Sequence, residues 1–90
     1  MFDVFLSRDA EKALSKIDKK LTIRIKQALL TLKLTPLPVK EYDLKKISGT
    51  DNIYRIRISD YRIIYAVYWD KKEINIIRIV RRDDRTYRGI

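Results

Sequence analysis

Three arginines, Arg55, Arg57 and Arg62, flank a two-residue turn signal, Ser59-Asp60, within the run from Tyr54 to Tyr65. If that turn closes a hairpin, Ile58 pairs with Tyr61 and Arg57 lies directly across from Arg62. Arg55 falls on the same face, because strand side chains alternate. Like charges directly opposite one another are destabilising, so stability does not explain this face. An anion does. The guanidinium fork matches phosphate oxygens bidentately, and the polyanion suited to a small basic chain is nucleic acid. The competing reading is an ordinary solvated face with ion pairs to Asp60, Asp83 and Asp84. A second basic group closes the chain: Arg81, Arg82, Arg85 and, among them, Tyr87. A tyrosine there could stack on a base or pass a proton to a leaving oxygen.

What is missing narrows the chemistry. The 90 residues contain no histidine and no cysteine. The most common general base, the thiol nucleophile and the usual transition-metal ligands are therefore absent. Ser7, Ser15, Ser48 and Ser59 have no imidazole to activate them. There is no glycine-rich phosphate loop and no paired-carboxylate site on a common strand face. No metal site and no cofactor are expected. The net charge of +9 and the isoelectric point near 9.9 favour a polyanionic partner. Abundant charge and isoleucine without cysteine is also a composition common among thermophile proteins. No signal peptide is read, because residue 3 is Asp and no apolar stretch follows it, and no apolar run reaches membrane-span length, so a cytoplasmic protein without membrane association is expected.

These residues need a scaffold. Ninety residues make one domain, 1–90, with a modest core. Met1 to Leu6 alternates as a short strand. Ser7 is placed to cap a helix whose stripe is Ala10, Ala13, Leu14 and Ile17; Asp18 is placed to cap a second, with Leu21, Ile25, Ala28, Leu29 and Leu32 on one face. That helix should stop near Leu34, ahead of Pro36. Residues 35–52 read as a loop that Leu44 and Ile47 pin to the core. Three strands follow, at about 53–58, 61–69 and 73–81. The order β-α-α-β-β-β implies an α+β layer: a helical hairpin packed on one face of a mainly antiparallel four-stranded sheet.

Parity assigns the faces. Tyr54, Ile56, Ile58, Tyr61, Ile63, Tyr65, Val67 and Trp69 should meet the helices, which makes three of the six tyrosines core residues. Arg55, Arg57, Arg62, Ile64, Ala66 and Tyr68 should form the other face. A turn at Lys71-Lys72 would pair Trp69 with Ile74, set Arg62 beside Arg81, and bring Ile77 and Ile79 onto that second face. The face would be basic at one end and apolar at the other, and the apolar end should attract a partner.

The order of elements, the segment Ile53–Tyr65, the stretch Leu44–Gly49 and the ending Arg81-Arg82-Asp83-Asp84-Arg85-Thr86-Tyr87 together resemble the RelE toxins of the RelE/ParE superfamily. The resemblance covers essentially the whole chain. It implies an mRNA interferase: a metal-independent endoribonuclease that enters the ribosomal A site and cuts the codon presented there. A ribose 2′-OH attacks the adjacent phosphate, giving a 2′,3′-cyclic phosphate or its opened form. It places the family's catalytic positions on Arg62, on Arg81 or Arg82, and on Tyr87, with Arg55, Arg57 and Arg85 as RNA and phosphate binders. It also implies a RelB-like antitoxin that wraps the toxin, with operator DNA reached only through the antitoxin complex.

One departure bears on mechanism. Family members carry lysines where this chain has Arg55 and Arg57. Arginine stays protonated and is a poor base. The acceptor of the 2′-OH proton is therefore unassigned, with Tyr87 or groups supplied by the ribosome as candidates. Two other functions share these features: a ParE-like inhibitor of DNA gyrase, and a non-catalytic RNA-binding module.

Overall fold

The structure, a computed structural model, describes residues 1–82; Arg85 and Tyr87 lie outside the described residues. The chain runs β1 (Asp3–Leu6), α1 (Arg8–Ser15), α2 (Lys19–Leu34), β2 (Leu44–Lys46), β3 (Ile53–Ile58), β4 (Tyr61–Tyr68) and β5 (Glu73–Arg81). Both helix starts follow from their caps. The Ser7 hydroxyl accepts from Ala10 N at 3.0 Å and donates to Ile77 O at 2.7 Å, which also fastens α1 to β5. Asp18 Oδ1 accepts from Leu21 N at 3.0 Å. Helix α2 ends at Leu34, with Thr35 N bonded back to Thr31 O and Pro36 beyond. Among the described residues no helix is long and apolar enough to cross a membrane.

The five strands form one sheet in the order β1-β5-β4-β3-β2. Strand β1 is parallel to β5, and the other neighbours are antiparallel. This is the expected α+β arrangement with one addition. The stretch read as a pinned loop holds a three-residue edge strand, β2, in which Leu44 pairs with Ile56. Ile47 N bonds Ile53 O, Thr50 Oγ1 bonds Ile47 O, and Gly49 takes φ of 82° in the connecting turn. A positive φ of this kind suits glycine, which lacks a Cβ.

The helices cover one sheet face. Ala10, Ile25, Ala28 and Leu32 pack with Ile56, Ile58, Ile63, Tyr65, Val67, Ile74, Ile76 and Ile79 in one core. Tyr65 crosses this layer and donates to Pro36 O at 2.8 Å. Burial, and secondarily the Tyr54 phenol beside it, push the Tyr65 hydroxyl well above the usual tyrosine range. Its ring lies 6.0 Å from that of Tyr54. Tyr54, Tyr61 and Tyr65 are thus on the helix side, as their parity required.

The β4–β5 register differs from the sequence expectation. Tyr68 pairs with Glu73 and Val67 with Ile74, so Trp69 lies in the turn rather than opposite Ile74. Its ring packs edge-on against Phe2 at 5.5 Å, and Lys72 closes the turn with φ of 54°. The ladder then slips between Ile64 and Tyr65, which pair with Arg78 and Ile76. Ile77 is the extra residue of this bulge. In consequence Ile79 turns inward and is 4% exposed, instead of joining the outer face.

Candidate functional site

The sheet face away from the helices is organised in cross-strand rows. Arg57 pairs with Arg62 across β3–β4, as the two-residue turn required, and Arg62 pairs with Val80. On the other side of Arg57 lies Asp43, just before β2, whose carbonyl accepts from Arg57 N at 3.3 Å. The first row is therefore Asp43, Arg57, Arg62, Val80. The next row is Lys45, Arg55, Ile64, Arg78. Further along come Ile53, Ala66, Asn75 and Phe5, then Tyr68 and Glu73. The face is basic at the hairpin end and less charged toward the β1 end, where Phe5 is half exposed and Lys71 sits 5.9 Å over the Tyr68 ring.

Asp43 ties the two β3 arginines together. Its Oδ2 lies 3.3 Å from Arg57 Nη1 and its Oδ1 3.7 Å from Arg55 Nη2. The carboxylate offsets part of the repulsion that the Arg57–Arg62 pairing creates. Burial is graded across the cluster. Arg62 is only 7% exposed, the Arg55 side chain 12%, and the Arg57 and Asp43 side chains remain open at 37% and 48%. Arg55 and Arg62 both make further interactions with their surroundings. Two guanidinium groups are thus held by a rigid sheet and a third stands at the rim. Guanidinium groups so held have the chemistry to bind an anion such as a phosphate group.

The late arginines separate. Arg81 pairs with Tyr61, on the helix side, and lines a groove of about 550 Å³ with Asp18, Lys20, Arg24 and Asp60. The expected alignment of Arg81 with Arg62 does not occur, because the bulge at Ile77 and the shifted β4–β5 turn move the ladder by one residue. Arg82 follows one alternation step later, and its N–H donates to Asp60 O. That bond ties the end of β5 to the Ser59-Asp60 turn, where Ser59 has φ of 55°.

The structure therefore brings together Arg55, Arg57 and Arg62, and adds Asp43, Lys45 and Arg78 to them. Asp43 and Lys45 could be found only by seeing that β2 pairs with β3 at Leu44–Ile56. Arg78 could be found only by seeing the bulge. Among the described residues no group of three or more acidic side chains is placed to hold a metal ion.

Residues 4–86 match the family described as ParE toxin of type II toxin–antitoxin system, parDE. The chain is 34% identical over 82 residues to the candidate toxin RelE1 of Methanocaldococcus jannaschii, covering 91% of each. A chain of the archaeal RelE–RelB complex from Pyrococcus horikoshii OT3 superimposes with a TM-score of 0.84 at 32% identity, covering 91% of this chain and 96% of that one. A chain of the RelB–RelE antitoxin–toxin complex from Methanococcus jannaschii gives 0.75 at 28% identity, covering 87% and 90%.

Proposed function

The chain belongs to the ParE toxin family of type II toxin–antitoxin systems and is a RelE-like toxin within it, and from that premise we propose that it is a ribosome-dependent mRNA endonuclease. The observation that carries this reading is the pairing of Arg57 with Arg62, with Arg55 in the adjoining row. Two strands hold three guanidinium groups on the face opposite the helices. A phosphodiester backbone is the ligand that rewards this arrangement.

In the reaction, Arg57 and Arg62 hold the two non-bridging oxygens of the scissile phosphate in the A-site codon. Arg55 holds the neighbouring phosphate. The 2′-oxygen attacks phosphorus, the P–O5′ bond breaks, and the 5′-oxygen leaves with the bonding pair. Charge builds on the phosphoryl oxygens as the fifth bond forms. Arginines fixed beforehand stabilise that charge without reorganising. The ribosome supplies the alignment of 2′-oxygen, phosphorus and 5′-oxygen, which a small open face lacks. Arg82 and Arg85 extend the grip on the RNA backbone, and the Tyr87 phenol protonates the leaving 5′-oxygen. The products are a 2′,3′-cyclic phosphate and a 5′-hydroxyl, and the outcome is arrested translation in the cytoplasm.

A RelB-like antitoxin is the regulatory partner, by similarity to the RelE–RelB complexes. Operator DNA is reached through that complex. Mapping mRNA 5′ ends after induction tests the reading. Wild type should give cuts in frame with the ribosome, and Arg62→Ala should give none. Intact mRNA under wild-type expression would refute it.

The ParE description of the matched family favours one second reading, inhibition of DNA gyrase. A supercoiling assay decides between them: the arginine face predicts no effect on gyrase at concentrations that stop translation.

A further inference from the structure

The geometry points to Asp43 as the general base that takes the 2′-OH proton, a role that rests on the endonuclease reading above. The two rows that contain the arginines hold Asp43, Lys45, Arg55, Arg57, Arg62, Ile64, Arg78 and Val80. Asp43 is the one carboxylate among them. Guanidinium groups do not give up a proton at physiological pH, and an ammonium such as that of Lys45 must first lose one. A carboxylate accepts without prior deprotonation.

Position agrees with chemistry. Asp43 bridges Arg55 and Arg57, the two groups that would hold adjacent phosphates. The attacking 2′-hydroxyl belongs to the ribose between those phosphates, so it arrives beside the bridge. Both contacts, at 3.3 and 3.7 Å, are longer than the roughly 2.7–2.9 Å of a tight charge-assisted bond. The carboxylate accepts one hydrogen bond, from Arg57 Nη1 at 3.3 Å, and is about half exposed, so a hydroxyl can reach its other oxygen. When phosphate enters, its oxygens draw Arg57 and Arg55 toward themselves, and the Asp43 oxygens turn to the 2′-OH.

The 2′-O–H bond breaks and its proton goes to a carboxylate oxygen of Asp43. The 2′-oxygen forms its bond to phosphorus with the electron pair left behind. The P–O5′ pair departs with the 5′-oxygen, which takes a proton from the general acid of the reaction. Water then removes the proton from Asp43 and restores that of the acid.

The test measures single-turnover cleavage on programmed ribosomes alongside equilibrium binding of a short RNA. Asp43→Asn keeps the size and the oxygen facing the arginines. It should lower the cleavage rate by about 10²–10⁴-fold, with RNA bound as tightly as by wild type or more tightly. Asp43→Ala should recover at least about tenfold with added formate, and less with weaker-base carboxylates, in order of their basicity. Asp43→Asn cleaving within about threefold of wild type would overturn the assignment. So would a slow Asp43→Ala that formate does not rescue and whose RNA binding falls in parallel, since that pattern marks a residue that only positions Arg55 and Arg57. If wild type itself leaves ribosome-bound mRNA intact, the endonuclease reading fails and this assignment fails with it.

Discussion

Replacing Arg62 with methionine separates the two roles that an arginine on a sheet can have. Arg62 is 7% exposed, faces Arg57 across the ladder and has Val80 on its other side. Methionine keeps the length of the stem and removes the charge. Relief of the cross-strand repulsion should return about 0.2–1 kcal/mol, and the desolvation cost of a buried guanidinium disappears. Against this stands the loss of the interactions that Arg62 makes in the folded chain, at about 1.5–3 kcal/mol for a hydrogen bond to a charged group. The terms nearly cancel, so the net change should stay within about 1 kcal/mol, or about 4–8 °C in Tm for a domain of this size. Catalysis has no such cancellation. Removing one preorganised donor from a developing oxyanion costs about 10²–10³-fold in rate. Arg62→Ala should show the same catalytic loss but lower stability, because about two further buried methylenes are lost at about 0.8 kcal/mol each. Urea unfolding measures the first quantity and single-turnover cleavage on programmed ribosomes the second. An Arg62→Met protein that folds like wild type and cleaves like wild type would refute the phosphate-clamp reasoning. One that unfolds would show Arg62 to be structural.

Two other outcomes follow from the same geometry. Affinity for single-stranded RNA should fall steeply with salt, and Arg55→Ala or Arg57→Ala should each reduce the slope of log K against log salt by about 0.7, the value of one phosphate contact; titrations at several salt concentrations read this directly, and an unchanged slope would place that arginine off the RNA. Tyr65→Phe loses the bond to Pro36 O and should cost about 0.5–1.5 kcal/mol without affecting cleavage, since Tyr65 faces the helices. The folded Tyr65 hydroxyl is raised above its unfolded value of about 10, so its contribution is complete below that pH and is lost as pH rises beyond it, by up to about 1.4 kcal/mol per unit. Denaturant midpoints between neutral and strongly alkaline pH should show this extra loss in wild type and not in Tyr65→Phe.

The parts of the fold legible in the sequence are those set by short-range physics. Ser7 and Asp18 announce their helices because a side-chain oxygen can satisfy an N–H three residues on. The Arg57–Arg62 pairing follows from a turn too short to permit another register. Where the sequence reading fell short, distant contacts decide. Leu44–Lys46 is too brief for alternation to declare a strand, and only its pairing with β3 makes it one. Trp69 leaves β4 to meet Phe2, from the far end of the sequence. The bulge at Ile77 then turns Ile79 into the core and aligns Arg78, not Arg81, with the basic rows. Asp43 was hidden for the same reason as β2. No local pattern links it to Arg55 and Arg57, and the ladder that does so spans residues 43–57.

If this arginine face serves a 2′-hydroxyl attack on mRNA, a ribosome programmed with an A-site codon carrying 2′-deoxyribose at the scissile position should block it. The all-ribose message should be cut to a 2′,3′-cyclic phosphate while the deoxy-substituted message stays whole, although it binds equally well. Cleavage of the deoxy message at a rate similar to the ribose one would contradict a 2′-hydroxyl attack.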